Sequence, residues 1–156
     1  KWGGIEDNDV YLDENCIRMF SNVRHNFGSL AEVLIKQGKT DSARVVLNKC
    51  LELIPDNRIP FDVYMLGMVE SYYQINDETK AHEVAQQLLE NTYADIDYFL
   101  SLHPPFSGYL TYEKRIAAHT LTELIKISNR NGDKTFSAEI QQELQNYGPE
   151  LNSIFR

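Results

Sequence analysis

The sequence predicts an all-α fold of about six helices arranged as antiparallel hairpins. Apolar residues recur at three- and four-residue spacing through most of the 156 residues, which is the period of a helix with one buried face. Glycine, asparagine or proline interrupts this period at intervals, and such residues end helices. No stretch alternates apolar and polar residues between hairpin turns, so a β-sheet is not expected.

Two regions are predicted from these patterns. Residues 1–12 carry two glycines, an acidic cluster and no helical period, and we expect them to form an irregular leader. Residues 13–156 form a single helical domain, long enough to bury a core without disulfides or metal ions.

The first two helices are delimited by residues that cap or break helices. Asp13 is expected to cap the first helix, and Gly38 ends it. The second helix is expected to start at Thr40 or Asp41, whose oxygens can accept from free N–H groups, and to close at Pro55.

The third and fourth helices follow from similar signals. Pro60 is expected in the first turn of the third helix, where its missing N–H costs little, and this helix stops near Asn76. Asn76 and the two acidic residues after it start the fourth helix. Whether that helix continues unbroken from Ala81 to Leu102 is left open, but Pro104 ends it.

The last two helices are expected on either side of a glycine turn. The fifth passes through Tyr109 and ends at Asn131 and Gly132. The sixth runs from Asp133 to a stop at Gly148 and Pro149.

A repeat organises these helices. Residues 24–57 follow the ~34-residue tetratricopeptide pattern, with small residues where two helices approach and larger ones between hairpins. Its packing positions are Phe27, Leu30, Ala31, Leu34, Ala43, Leu47 and Cys50. A second copy follows 38 residues later, with Asn76 equivalent to Gly38 and four extra residues at 58–61. A third copy, turning at Gly132, is degenerate because Ser128 and Ser137 take packing positions. We therefore expect the hairpins to stack as a short tetratricopeptide-like right-handed superhelix.

Several segments also carry a wider resemblance, namely residues 1–4, 10–15, 18–19, the turn at 38–39, the helix at 43–55 and residues 98–102. In these segments the chain resembles the C-terminal soluble region of a family of multi-spanning membrane proteins from Bacteroides-type bacteria. That family is described as protein O-mannosyltransferase-like and of unknown function. The resemblance implies that the chain is part of a larger protein tethered to the bacterial inner membrane, with any catalytic apparatus in the membrane portion. Analogy with related transferases favours the periplasmic side.

Charge and hydropathy narrow the expected partners. A net charge of −8, from 23 acidic and 15 basic residues, opposes binding to nucleic acid and to anionic membranes. No apolar stretch approaches the ~20 residues that a membrane helix needs, so this chain is not expected to insert directly. A protein or peptide segment is the expected partner.

Neither a metal nor a catalytic site is predicted, and no cofactor is expected. Asp7 and Asp9 resemble the opening of an EF-hand loop, but Leu12 and Arg18 stand where that loop needs Gly and Glu, which favours a solvated leader. The four histidines lack zinc-ligand spacing. Cys16 and the repeat-core residue Cys50 would lie ~16 Å apart along the hairpin, so we expect two separate buried thiols and no disulfide.

The candidate functional surface is the groove formed by the inner faces of the first helix of each repeat. A mixture of aromatic, aliphatic and charged groups there suits a protein or peptide ligand, although a solvated face without a ligand is the alternative. The residues expected in the groove are His25, Glu32, Ile35, Lys36, Leu66, Glu70, Tyr73, Gln74, His119, Lys126 and Arg130. Gly28 and Glu32 stand where repeats that clamp a C-terminal carboxylate have Lys and Asn, so an acidic tail is not the expected ligand.

Three functional hypotheses remain. The first is a non-catalytic interaction or scaffolding domain. The second is a structural tail that packs on the membrane domain of its own protein, for which an apolar patch near Trp2 and the leader would be the sign. The third and remote alternative is a small enzyme, which clustered titratable groups in a closed pocket would favour.

Overall fold

A computed structural model describes Ile5, Asp7 and residues 9–103 and 110–147. Within these residues the chain forms six α-helices and no strand, which confirms the all-α prediction. The helices are α1 (Glu14–Lys36), α2 (Thr40–Leu53), α3 (Met65–Gln74), α4 (Glu78–Ser101), α5 (Thr111–Arg130) and α6 (Lys134–Tyr147). Expectations that fall on Trp2, Pro104, Tyr109, Gly148 and Pro149 lie outside the described residues.

The chain is divided into two compact units, Lys1–Gln87 and Leu88–Arg156. In the first unit α1 packs against both α2 and α3. In the second, α5 packs against α6. The buried side chains of this second pair include Leu121, Leu124, Phe136 and Ile140.

The three turns expected at Gly38, Asn76 and Gly132 share one geometry. Their φ values are 73°, 57° and 85°, the left-handed region that glycine adopts at low cost. In each turn the next residue donates its N–H to the carbonyl five positions earlier at 2.9 Å, as in a Schellman motif. These bonds are Lys39 to Leu34, Asp77 to Tyr72 and Asp133 to Ser128. The three positions that the sequence alignment equated are therefore equivalent in local structure.

Side-chain caps start three of the helices. Asp13 accepts the N–H of Cys16 at 2.8 Å, which confirms the predicted cap of α1. Asp77 and Asp133 act in the same way at α4 and α6. At α2 the predicted start at Thr40 is confirmed, but Lys39 occupies the cap position without a side-chain cap bond. Capping of α2 by the oxygens of Thr40 or Asp41 was therefore wrong.

The start of α3 differs from the prediction. This helix begins at Met65, so placing Pro60 in its first turn was wrong. The carbonyl of Pro60 accepts from the Arg24 guanidinium at 2.8 Å, and the N–H of Tyr64 donates to Asp62 Oδ1 at 3.0 Å. Because the N–H of Tyr64 donates to Asp62, it does not form the helical bond that would join it to the carbonyl of Pro60.

The sequence left open whether the fourth helix is continuous. It continues without a break from Glu78 to Ser101.

The core of the first unit follows the repeat pattern except at Leu30, which is exposed, and at Phe27 and Leu34, which are half-buried. The small residues Ala31 and Ala43 are fully buried, as the close approach of α1 and α2 requires. Leu30, which was expected in the core, is 49% exposed. A helix turns about 100° per residue, so two residues place Leu30 roughly opposite Gly28, whose side of α1 faces Met68 on α3.

Two smaller expectations need correction. Both cysteines are free, as predicted, and Cys50 is buried, but Cys16, in the first turn of α1, is only half-buried. The described part of the leader is irregular, as predicted. It is not simply solvated, since Ile5 is 1% exposed.

Candidate functional site

The surface that contains the predicted groove residues of the first unit is formed where α1 and α3 lie side by side. A Cβ placed on Gly28 would lie 3.5 Å from Met68 Cγ, so the two helices are in contact at this level. Near the start of α3, the rings of His25 and Tyr64 lie 5.2 Å apart with a tilt of 50°. We call this surface the α1–α3 face. We assign to it the groove residues that the sequence predicted on these two adjacent helices, namely His25, Glu32, Ile35 and Lys36 from α1, and Leu66, Glu70 and Gln74 from α3.

The charged groups that α1 contributes to the α1–α3 face are accessible. Glu32 and Lys36 form an ion pair of 2.6 Å, with side chains 54% and 70% exposed. A pair of this kind contributes only about 0.3–0.5 kcal/mol, so a partner could replace it at little cost. On α3, Gln74 is exposed and its Nε2 lies 3.5 Å from Oε1 of the half-buried Glu70.

Apolar surface lies beside these charges. Ile35 and Leu66 are half-buried, and His25 is exposed with its ring against Tyr64. The face therefore offers partly exposed aliphatic and aromatic groups flanked by one cation and two carboxylates.

Tyr73 does not belong to this face. Its side chain is 7% exposed and lies in the core, so its placement in the groove was wrong. Six of the ten residues of α3 are buried, from Met65 to Tyr73, which is a wider arc than an amphipathic surface helix has. Tyr73 lies within that arc.

The three groove residues of the second unit share one face of α5. His119, Lys126 and Arg130 are all exposed and spaced by seven and four residues, which aligns them along the helix. Sequence reasoning missed Glu123, which lies among them and accepts from Lys126 Nζ at 2.7 Å. This hydrogen bond, with the nearby positive groups, lowers the pKa of Glu123. The α5 face therefore carries a carboxylate that partly offsets its cations.

A second group that sequence reasoning missed is the fully buried Arg24. Its guanidinium donates to the carbonyls of Ile54 at 2.9 Å, of Pro60 at 2.8 Å and of Ile59. It also lies 4.8 Å from the centre of the Phe61 ring. Arg24 falls at four-residue spacing between Phe20 and Gly28 in the apolar stripe of α1, and this position was the available signal.

The electrostatics of Arg24 fit a structural role. Burial lowers the pKa of its guanidinium, while the carboxylate of Asp62 acts in the opposite direction. Its Nε has no hydrogen-bond acceptor among the residues that the structure describes. Three main-chain carbonyls therefore solvate this charge and, in return, are fixed by it.

A cavity of about 250 Å³ also opens in the first unit, between the end of α2 and the start of α4. Its lining includes Asp56, Phe61, Lys80 and Glu83, and Lys80 forms an ion pair of 2.7 Å with Glu83. The volume falls below the ~300–1,000 Å³ of most small-molecule sites, so the α1–α3 face is the stronger candidate.

The described part of the chain contains no group of three or more His, Cys, Asp or Glu side chains placed to hold a metal ion. None of its described helices is both long and apolar enough to cross a membrane. No protein-family model, curated protein or solved structure matches the chain.

Proposed function

We propose that this chain is a non-catalytic protein-interaction or scaffolding domain whose recognition surface is the α1–α3 face. The observation that supports the proposal most is the combination on that face of half-buried Ile35 and Leu66 with accessible Glu32, Lys36 and Gln74. The burial of α3 and its contact with α1 at Gly28 fix the two helices that carry these groups against each other. A partly apolar, partly charged surface of this kind suits a protein or peptide segment.

The charges of the α1–α3 face favour one kind of ligand segment. Glu32 and Glu70 both lie on the face, and Lys36 is already paired with Glu32. A ligand with a free carboxylate or an acidic tail would meet like charge, which costs binding free energy. The expected ligand is therefore a neutral or basic segment with at least one apolar anchor.

The proposed setting is the soluble C-terminal part of a glycosyltransferase-like membrane protein, on the periplasmic side of the inner membrane. The support for this setting is the resemblance in residues 1–4, 10–15 and 98–102. In this setting the domain recruits a partner, organises subunits or positions an acceptor, while any catalysis belongs to the membrane portion. The tetratricopeptide-like stacking is proposed on the same footing, with the three equivalent turns as its support.

A second candidate function is a structural tail that packs on the membrane domain of its own protein. Met19, Leu30 and Val33 are each about half exposed. By the helical rotation of about 100° per residue they lie within about 60° of one another around α1. Such an apolar strip favours a protein contact on the side of α1 away from α3.

The experiment that separates the two functions is a pull-down from detergent-solubilised native membranes with matched variants. Glu32→Lys reverses a charge on the α1–α3 face. Glu52→Lys is its control, because Glu52 is also an exposed, ion-paired glutamate of the same unit but lies on α2. Leu30→Ser tests the apolar strip.

Loss of a specific protein with Glu32→Lys, and its retention with Glu52→Lys, would support the interaction domain. Loss only with Leu30→Ser, with the membrane domain of the parent protein as the captured species, would instead support the structural tail. Capture that is equal for all variants would refute recognition through either surface.

A further inference from the structure

One arginine of the α2–α3 connection holds the N-terminal leader. Arg58 is the first of the four residues that the second repeat has in excess of the first. Its Nε donates to the carbonyl of Ile5 at 2.8 Å, and its Nη2 donates to the carbonyl of Val10 at 2.7 Å. A single guanidinium therefore donates hydrogen bonds to two main-chain carbonyls that are five residues apart.

The leader is folded so that both carbonyls reach Arg58. Asp7 accepts the N–H of Val10 on its carbonyl at 3.2 Å and the N–H of Asp9 on its Oδ1 at 3.0 Å. The bond from the Val10 N–H to the Asp7 carbonyl is that of a turn. The turn brings the carbonyls of Ile5 and Val10 to the same guanidinium.

The side chain of Ile5 fills an apolar pocket. Phe20 from α1 and Ile54 and Ile59 from the α2–α3 connection form its buried walls, and half-buried Leu12, Ile17, Val23 and Leu53 pack around them. The position of these walls does not depend on the leader alone, because Arg24 donates hydrogen bonds to the carbonyls of Ile54 and Ile59 from the interior of the unit. Apart from Leu12, the pocket is thus built by the helical domain, and it is occupied by a segment that precedes this domain.

We propose that this pocket and Arg58 form a recognition site for a turn-forming segment with one β-branched aliphatic side chain, which the leader occupies in cis as an exchangeable strap. The site binds one apolar side chain and two main-chain carbonyls of its ligand. Main-chain hydrogen bonds combined with a side-chain pocket are common in peptide recognition. We call it the leader site. It consists of residues other than those of the α1–α3 face and is independent of the function proposed above.

The strap can leave without unravelling the helices. The helix α1 begins at its own cap, Asp13, and none of the described leader residues before Asp13 is helical. Release of the strap therefore breaks the contacts of Ile5 and the two bonds of Arg58, and leaves the backbone bonds of α1 intact. Such a segment opens locally, at lower cost than global unfolding.

Binding of the leader in trans is the direct test. A fluorescein-labelled peptide with the sequence of residues 1–12 is titrated, by fluorescence anisotropy, into the full chain carrying Ile5→Asp, whose own strap cannot fill the pocket. We expect this chain to bind the peptide at least about tenfold more tightly than the wild-type chain, whose tethered strap competes at high effective concentration. A peptide that itself carries Ile5→Asp, and a chain that also carries Arg58→Ala, should each weaken binding by about tenfold or more.

Equal binding of the two peptides, or equal binding by the wild-type and Ile5→Asp chains, would overturn the proposal. If circular dichroism shows that Ile5→Asp lowers helix content, Ile5→Ala replaces it under the same criteria.

Hydrogen exchange on the full-length protein gives an independent readout: Arg58→Ala should speed exchange at Val10 by about tenfold or more. The control is Arg44→Ala. Arg44 is an arginine of the same unit that bonds to Asp77 and to the carbonyl of Ile75, so its removal should leave the exchange rate at Val10 unchanged. Unchanged exchange in Arg58→Ala would also overturn the proposal.

Discussion

Replacing the buried arginine of α1 with methionine should lower the stability of the first unit substantially. Arg24→Met keeps most of the side-chain length but removes the donors for the carbonyls of Ile54, Ile59 and Pro60. Two of these bonds are buried, and hydrogen bonds to charged groups contribute about 1.5–3 kcal/mol each. Removing the charge also relieves several kcal/mol of desolvation, which offsets part of the loss. We therefore expect the free energy of unfolding to fall by about 2–4 kcal/mol.

Urea denaturation followed by circular dichroism measures this loss. With a denaturant slope of about 2 kcal/mol/M, in the middle of the usual range for urea, the midpoint should fall by about 1–2 M. Arg18→Met is the matched control on the same helix, since Arg18 is exposed and donates to Asn15 Oδ1. The control should change stability by less than about 0.5 kcal/mol. An Arg24→Met chain as stable as the wild type would refute the view that this guanidinium stabilises the α2–α3 connection.

Three further predictions concern the core, a turn and the thiols. Tyr73→Ala should lower the free energy of unfolding, measured by urea denaturation, by about 3 kcal/mol or more, because Tyr73 is buried. The control Gln74→Ala should lower it by less than about 0.5 kcal/mol. Equal effects of the two changes would contradict the placement of Tyr73 in the core. Asn76→Gly should raise the melting temperature, by the equivalent of about 0.5–1 kcal/mol, because φ is 57° at this position; a lower melting temperature would count against the left-handed turn. Burial raises the pKa of Cys50 to about 12, so iodoacetamide at about pH 8, with mapping by mass spectrometry, should label Cys16 faster than Cys50. Because the folded pKa of Cys50 is the higher one, its contribution to stability is complete below the ordinary value of 9.0 and is lost as the pH rises towards about 12.

Local signals in the sequence were sufficient for the all-α class, for the turns at positions 38, 76 and 132, and for the cap of α1. Gly38 and Gly132 adopt positive φ because each follows a helix whose carbonyls need N–H donors from the turn. Asn76 takes the same conformation, since asparagine is among the few other residues that adopt it. Asp13 was identifiable as a cap because its short side chain can accept an N–H of the first turn.

Burial within the candidate site was less predictable because it depends on how many neighbours surround a helix. The period of α3 indicates which residues share a side, but it does not show that packing extends far enough to cover Tyr73. Leu30 shows the reverse, because it fits the repeat pattern and yet lies on a side of α1 that is about half exposed.

The connection between α2 and α3 could not be predicted for a different reason. Its conformation depends on contacts between residues that are distant in sequence. Arg24 bonds to residues 30–36 positions away, and Arg58 bonds to residues 48 and 53 positions away. A lone arginine within an apolar stripe is a usable signal for a buried partner, although it does not identify which carbonyls the arginine will bind.

The most direct test of the proposed interaction domain is site-specific photocrosslinking in native membranes. The photoreactive residue p-benzoylphenylalanine replaces Gln74 on the α1–α3 face in one variant and Glu52 on α2 in the other, and both positions are exposed. If the α1–α3 face recognises a protein, Gln74 should give a distinct crosslinked species that Glu52 does not give and that Glu32→Lys abolishes. Crosslinks that are absent at Gln74, or the same at both positions, would contradict the claim that this face is the recognition surface.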